Sequence, residues 1–311
     1  MYPASRHRLR WLGYFVSICM LIATRPARAQ NRGVYPLGMS ATNSGITPES
    51  GFTYTNQLLF YTRDQAKDDE GKALPVAGLN TVVMDMNTLT WASTARILGA
   101  RFSASATLPF ARNDLTSDIQ GQISGGGGFA DSYYMPFILG WNAERVNVRA
   151  IYGFLAPTGR FAAGANNNVG SGYWTHAVSS GQTFYLTQGK RLIFSAFEMY
   201  EFHTTQEGTG IHPGQTFDLD YSLMGSVRRS ASLSLQIGFT GYEARQTTAK
   251  VGPNITPEVS AERYAINSFG FATIAAFPKR KASLGFRYFK EFADRSTFQG
   301  YSAQIFGGIR F

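Results

Sequence analysis

The sequence predicts an all-β protein, a transmembrane antiparallel up-and-down β-barrel of about twelve strands with short periplasmic turns and long extracellular loops. Three observations support this fold class: alternation along the last strand, alternation of the connections, and an export signal at the start. In the last strand Tyr301, Ile305 and Phe311 fall in one row, and Gln304 and Arg310 fall in the other. A period of two places the two rows on opposite faces, one suited to lipid and one to a wet interior.

The chain begins with the features of a secretory signal peptide. Arg6, Arg8 and Arg10 form a positive start, and Trp11 to Ala23 is an apolar stretch too short to span a bilayer. Ala27-Arg28-Ala29 then supplies small residues at a cleavage site. We therefore interpret residues 1–29 as a cleaved signal peptide, the alternative being an uncleaved anchor helix.

The remaining chain divides into a segment at 30–50 and a barrel at 51–311. Residues 30–50 are rich in Gly, Ser, Thr and Asn and are interpreted as a periplasmic N-terminal segment; the sequence leaves open whether it enters the lumen.

The one cysteine, Cys19, lies in the predicted signal peptide. Of the formal charge of +9, five arginines fall in residues 1–29, which leaves +4 on the mature chain. Such a small excess does not favour nucleic-acid binding.

Twelve segments with period-two patterning are predicted as strands. They are Phe52–Tyr61, Thr81–Trp91, Ala100–Phe110, Asp131–Trp141, Val146–Ala156, Gly172–Tyr185, Arg191–Thr204, Thr216–Val227, Leu233–Arg245, Arg263–Phe277, Ala282–Phe292 and Gly300–Phe311. The gaps between them alternate in length. The predicted long loops are 63–79, 111–130, 157–171, 205–215 and 246–262, and short turns stand between them. This alternation is typical of outer-membrane barrels and not of soluble sandwiches.

Charged residues in the strands are predicted to point into the lumen. A charge on the lipid face near the membrane midplane costs about 2–4 kcal/mol. The apolar rows of the third, fifth, eighth and eleventh strands fix the opposite rows as inward. The pore-lining candidates are therefore Arg101, Arg149, Asp218, Asp220 and Arg287. In the seventh strand Glu198 and Glu201 have opposite parity, so we expect a bulge or a rim position for one of them.

No catalytic or metal site is predicted, and no cofactor is expected. His176, His203 and His212 lack metal-ligand spacing, and no serine lies in a Gly-x-Ser-x-Gly elbow. Asp218 and Asp220 admit an acid–base interpretation, but two carboxylates lining a polar lumen explain them as well. Gly125 to Gly128 is interpreted as part of a flexible extracellular loop. The acidic run 68–70 is interpreted as a solvated loop tip that admits a divalent ion or lipopolysaccharide contact.

Several short motifs follow one another along the chain. They are Gly128–Pro136 with Leu139–Trp141, Pro157–Gly159, Gly172–Thr175, Phe217–Tyr221, Gly238–Tyr242 with Arg245-Gln246, and Tyr288–Phe292. In these motifs the chain resembles the family of outer-membrane proteins named after the meta pathway of phenol degradation. The motifs extend over essentially the whole mature chain. The resemblance implies a transporter-like barrel associated with the catabolism of aromatic compounds, and it supplies no catalytic residues.

Together the residues and the resemblance predict a non-enzymatic channel in the bacterial outer membrane that passes small hydrophobic or aromatic, phenol-like solutes. Ile151, Leu155 and Phe306 would supply apolar surface among the inward charges. A general or ion-preferring porin and a structural or surface-interaction barrel are the alternatives. The expected partners are the solute, outer-membrane lipid and lipopolysaccharide, and the barrel assembly machinery through the terminal Phe311, which resembles the assembly signal of such proteins.

Overall fold

The computed structural model describes residues 33–117 and 121–311. The predicted signal peptide, residues 1–29, lies outside the described residues. Within them the strands are β1 (Gly51–Lys67), β2 (Ala73–Ile97), β3 (Ala100–Ser117), β4 (Gly121–Phe129), β5 (Ser132–Asn142), β6 (Val146–Ala156), β7 (Thr175–Tyr185), β8 (Leu192–His203), β9 (Thr216–Arg229), β10 (Ser234–Gln246), β11 (Ala265–Phe277), β12 (Ala282–Glu291) and β13 (Phe298–Arg310).

Twelve of these strands close into an antiparallel barrel, which confirms the predicted fold class. Each strand pairs with its neighbours in sequence, and β1 pairs with β13 to close the ring. The exception is β4, which pairs only with the C-terminal part of β3 (residues 110–117). β5 pairs with the N-terminal part of β3 (residues 101–107). A short helix α1 (Pro257–Ala261), capped by the Thr256 side chain, lies in one long loop. Among the described residues no helix is long enough and apolar enough to cross a membrane.

The barrel wall has an apolar outer row and a polar inner row, as the alternation predicts. In β3 Leu108 is 44% exposed and Phe110 is 54% exposed, whereas Ser103 and Thr107 are buried. Outward aromatic rings of adjacent strands contact one another, as Phe110 does Phe129 at 5.5 Å between ring centroids. The exposed apolar row therefore forms the surface that faces lipid.

Two predicted long loops are strand extensions instead. The predicted loop 63–79 shortens to residues 68–72, because β1 and β2 continue past the apolar belt as a hairpin. The predicted loop 111–130 is mostly the hairpin of β3 and β4, in which Gly125–Gly128 pairs with Ala111–Asp114. Beyond the lipid both faces of a hairpin are wet, so polar residues occupy both rows and the period-two signal disappears.

The other connections alternate as predicted. Residues 157–174, 204–215 and 247–264 are long, and residues 143–145, 186–191, 230–233 and 278–281 are short. We call the two ends of the barrel the long-loop end and the short-turn end. The loop 157–174 is tied to the wall by the buried Asp131, whose carboxylate accepts bonds from the backbone N–H groups of Gly159 (2.9 Å) and Ser171 (2.7 Å).

For the seventh barrel strand, β8, the predicted alternatives were a bulge or a rim position. The bulge is not found, whereas Glu201 does lie near the long-loop end of the strand. β8 pairs with β7 and β9 in continuous register, with Glu201 buried inside the barrel. Glu198 lies in the middle of the strand on the opposite, outward face. Its carboxylate accepts bonds from Ser180 Oγ (2.8 Å) and Gln182 Nε2 (3.0 Å) on β7. These neighbouring donors satisfy a carboxylate on the lipid-facing surface, which a single-strand pattern does not reveal.

Candidate functional site

The lumen is occupied along its length by residues 33–50, which we call the N-terminal plug. At the long-loop end the backbone N–H of Val34 donates to Glu201 Oε2 (3.1 Å). At the short-turn end Glu49 pairs with Arg310, beside the start of β1. The prediction of a periplasmic location for this segment is therefore corrected for its described part. A polar segment can lie here because inward side chains of the wall satisfy its backbone groups.

Asp220 on β9 is the main acceptor for the plug. Its carboxylate accepts bonds from the Tyr35 hydroxyl (2.6 Å), the Gly38 N–H (2.9 Å) and the Ser40 N–H (3.0 Å). Burial, together with the charge of Asp220, raises the pKa of the Tyr35 hydroxyl well above its usual range. Tyr35 therefore stays a donor at ordinary pH. Charge-assisted bonds of this kind are stronger than neutral ones.

Arg287 on β12 holds the next part of the plug from another side of the barrel. Its guanidinium donates to the Met39 carbonyl (3.0 Å) and to Thr42 Oγ1 (2.7 Å). The same group lies over the Phe306 ring, 3.8 Å from its centroid, and donates to Gln304 Oε1 (3.2 Å). The wall contacts orient the guanidinium, so that its remaining donors point at the plug.

Arg149 and Arg101 hold the part nearer the short-turn end. Arg149 Nε donates to the Ser44 carbonyl (2.5 Å), and Arg101 Nη1 donates to the Pro48 carbonyl (2.9 Å). The wall residues that lie against this part of the plug include two glycines, Gly140 and Gly181. A Cβ at Gly181 would lie 2.3 Å from the Ser44 carbonyl oxygen, and one at Gly140 would lie 1.7 Å from Thr47 Oγ1. Only glycine at these two wall positions lets the plug lie this close.

Asp218 differs from the other predicted lumen residues because it does not hold the plug. It is buried, and its Oδ2 has no hydrogen-bond partner among the described residues. It faces a cavity of about 200 Å³ between the plug and the wall. The cavity is lined by Gly33–Leu37 of the plug and by Leu59, Tyr61, Arg63, Val82, Met84, Asp218, Tyr242, Ala244, Tyr264, Ile266 and Ser302 of the wall.

The five predicted lumen residues thus all point inward, and the structure divides them into two groups. Arg101, Arg149, Asp220 and Arg287 contact the plug, and Asp218 contacts the cavity. Because the plug occupies Asp220, the two aspartates do not form an open acid–base pair. Sequence reasoning missed Glu201 and Gln304, which also bind the plug. Gln304 belongs to the polar row of the last strand, so its inward direction is predictable from the sequence. Glu201 and Glu198 fall on opposite faces of one strand, so the sequence does not show which of the two points inward.

Apolar clusters flank the plug on two sides of the lumen. One contains Ile138, Ile151, Phe197 and Met199 on the wall, with Tyr35 of the plug packed against it. The other contains Tyr242, Ile266 and Phe289, with Leu37 of the plug packed against it. The inner wall is therefore a set of charged anchors separated by apolar surface.

In the described part of the chain the histidines and the acidic loop tip are held by local contacts, and His203 Nε2 also lies 3.7 Å from Glu201 Oε2. His176 faces outward and contacts the Tyr152 hydroxyl (2.9 Å), and His203 is buried beside Thr175. No group of three His, Cys, Asp or Glu side chains among the described residues could hold a metal ion. Asp68 accepts the Glu70 and Lys72 N–H groups within the hairpin turn. An ion or lipopolysaccharide contact there stays a prediction.

Comparison with known proteins gives one family and several solved structures. A family model described as "Putative MetA-pathway of phenol degradation" matches residues 63–305. An outer membrane channel from Pseudomonas putida F1 superposes with a TM-score of 0.72 at 14% identity, covering 87% of this chain and 98% of that one. The beta domain of a Bordetella autotransporter gives 0.51 at 12% identity, covering 85% and 100%. No curated protein matches the sequence.

These likenesses are low in identity and show the fold. A closed antiparallel barrel with an apolar outer belt satisfies every backbone group of the wall within lipid, and it is the architecture of the bacterial outer membrane. The protein therefore lies in that membrane, as the sequence predicts.

Proposed function

This chain belongs to the phenol-degradation family of outer-membrane proteins, and from that premise we propose that it is a channel for small hydrophobic or aromatic solutes. The N-terminal plug closes the channel at rest. Solute passes when part of the plug moves away from the wall. The protein acts as a selective pore and carries out no chemistry on its solute.

The observation that carries this proposal is the way the plug is held. Its contacts are hydrogen bonds, packing and the ion pair of Glu49 with Arg310, and its described part joins the barrel covalently only where residue 50 enters β1. Such contacts can break without unfolding the wall, which is stabilised separately by continuous strand pairing. A barrel of about twelve strands has an interior wide enough for a narrow channel once the interior is vacated.

The apolar clusters support the proposed solute class. A solute moving beside the plug would pass Phe197 and Met199 on one side and Tyr242 and Phe289 on the other. Contact with these side chains removes the apolar surface of the solute from water, which stabilises the bound solute by about 25 cal/mol for each Å² buried. The family description names phenol degradation, and the similar structure from Pseudomonas putida F1 is an outer membrane channel.

Two surface partners belong to the same proposal. The exposed apolar belt would contact outer-membrane lipid and lipopolysaccharide. Phe311 is 70% exposed at the end of the last strand, where the assembly machinery would bind it.

The direct test of the function is uptake by cells of the source bacterium that lack this gene. We expect uptake of labelled phenol at limiting concentration to fall several-fold, with uptake of a small sugar unchanged, and plasmid-borne wild-type protein to restore it. Equal loss of phenol and sugar uptake would identify a general porin. Unchanged uptake with increased detergent sensitivity would identify a structural barrel instead.

A further inference from the structure

The cavity beside Asp218 has the dimensions of a small ligand site. Its volume is about 200 Å³, and it lies between the first residues of the plug and the inner faces of β1, β2, β9, β10, β11 and β13. An apolar cavity of about 150 Å³ is large enough to hold benzene. A single ring with one or two small substituents therefore fits here without displacing the wall.

Most of the cavity wall is apolar. Leu59, Met84 and Ile266 supply aliphatic surface, and Tyr242 and Tyr264 supply ring surface; all of these side chains are buried or half-buried. Such walls favour a compact apolar body and offer little to a sugar or an ion.

Two buried polar atoms interrupt this apolar surface. Asp218 Oδ2 and Ser302 Oγ both belong to residues that line the cavity, and neither has a hydrogen-bond partner among the described residues. Asp218 and Ser302 are each 2% exposed. Buried polar atoms are almost always paired, so a carboxylate oxygen without a protein partner at a cavity is available to a donor from a bound water or solute.

The other acids of this region do not share the orphaned state. Glu201 accepts bonds from the Val34 N–H and from Thr216 Oγ1 (2.6 Å), and Asp220 accepts three bonds from the plug. Their acceptors are used within the protein. Asp218 is thus the carboxylate in this region that is placed to receive a donor from outside the chain. Arg63, at the cavity edge, lies over the Tyr61 ring with its guanidinium carbon 4.1 Å from the centroid.

We propose that this cavity binds a compact, single-ring organic solute that carries one hydrogen-bond donor, a hydroxyl or an ammonium group, directed at Asp218. The ring packs against the apolar wall, and the donor satisfies the carboxylate with Ser302 beside it. This inference rests on the proposed function where such binding is a step of permeation. The cavity then gives the channel a defined solute site, and Asp218 makes the channel prefer a ring with a hydrogen-bond donor over a plain hydrocarbon.

The test measures equilibrium binding of p-cresol, benzylamine and toluene to the full mature protein in lipid nanodiscs, with empty nanodiscs subtracted. Toluene has nearly the shape of p-cresol without its hydroxyl. We expect saturable binding of about one p-cresol or benzylamine per protein, and weaker binding of toluene. Whichever donor ligand binds more tightly identifies the hydroxyl or the ammonium as the preferred group.

Variants separate the donor contact from the shape of the cavity. Asp218→Ala should weaken p-cresol by about tenfold or more and change toluene far less, because only p-cresol donates to the carboxylate. Ala244→Leu, which fills the cavity, should abolish binding of all three ligands. Thr240→Val is the matched control, because the Thr240 hydroxyl lies on the same wall and donates to the Tyr221 carbonyl outside the cavity (3.0 Å). Heat-modified migration on gels would show that each variant is folded.

The proposal is overturned if p-cresol and toluene bind equally and Asp218→Ala changes neither. It is also overturned if no ligand binds above the empty nanodiscs. Failure of the transport function gives a different result: binding persists with the expected dependence on Asp218, while phenol uptake is unaffected by loss of the gene. If uptake depends on the gene but no saturable binding is found, the channel function is supported and the proposed site beside Asp218 is rejected.

Discussion

Replacing Asp220 with alanine should raise the open probability of the channel by at least about tenfold. The variant loses three bonds between one carboxylate and the plug, from Tyr35, Gly38 and Ser40. A hydrogen bond to a charged group contributes about 1.5–3 kcal/mol, and 1.4 kcal/mol is a factor of ten in an equilibrium. Loss of even one net bond therefore moves the plug equilibrium by that factor. Single-channel recording in a planar bilayer measures the change directly.

Two control variants keep this result interpretable. Asp220→Asn retains the size of the side chain but not its charge, so it should fall between wild type and Asp220→Ala. Thr240→Val removes a buried hydroxyl of the same wall that bonds to the wall itself. It should leave the recordings unchanged. A folded Asp220→Ala barrel with wild-type openings would contradict the assigned role of Asp220.

Replacing Arg287 with alanine should produce the second large effect, more frequent opening together with a lower unfolding temperature. The guanidinium holds Met39 and Thr42 of the plug and packs on Phe306 of the wall. Removing one member of a buried charged network costs about 3–5 kcal/mol, because the remaining polar groups lose their partner. Recordings and thermal melts of the same refolded sample measure the two effects.

Arg149→Ala and Arg287→Lys rank the contribution of the guanidinium. Arg149 makes one bond to the plug, at Ser44, so its loss should increase opening less than the loss of Arg287. Lysine at 287 keeps the charge but not the planar fork of donors, so Arg287→Lys should be intermediate. We expect all three variants to assemble. If neither alanine variant reached a folded barrel, the arginines would instead be structural members of an internal ion network.

The barrel could be predicted from the sequence because lipid imposes a simple rule on every strand that crosses it. One row must be apolar, so Val148 and Tyr152 of β6, or Leu284 and Phe286 of β12, identify the outward face. Charged residues such as Arg287 can then be assigned to the inward face even though their partners are unknown. The rule applies only within the membrane. The sequence therefore predicts loops where β1 to β4 extend beyond it, although Gly125–Gly128 is paired with β3.

The plug could not be predicted because its contacts leave no local pattern. Gly38 and Asp220 are separated by 182 positions in the chain, and the plug contributes a backbone N–H, which every residue except proline carries. Asp220 could be placed on the inner wall, but its ligand could not be read from the sequence. The same holds for Gly181, whose close approach to Ser44 becomes visible only when both segments are placed.

A reversible disulfide between plug and wall tests the central claim, that the plug closes the channel, most directly. The Cβ of Ser44 lies 3.3 Å from the position of a Cβ built on Gly181, close to the usual disulfide range of about 3.5–4.5 Å. The added Cβ would also lie 2.3 Å from the Ser44 carbonyl oxygen, so the plug has to shift away from the wall at this point, and the Gly181→Cys single variant reports the effect of that shift alone. The sequence has one cysteine, Cys19, in the predicted signal peptide, so Cys19→Ser is added to the double variant Ser44→Cys and Gly181→Cys to leave only the introduced pair of thiols.

Single-channel recordings of this double variant would be made oxidised and then after reduction on the same bilayer, with each single variant as the control for the added side chain. We expect the oxidised protein to stay closed, and reduction to restore openings at least as frequent as those of wild type. Oxidised channels that open and conduct as the reduced ones do would contradict the central claim, because solute and ions would then pass with the plug fixed in place.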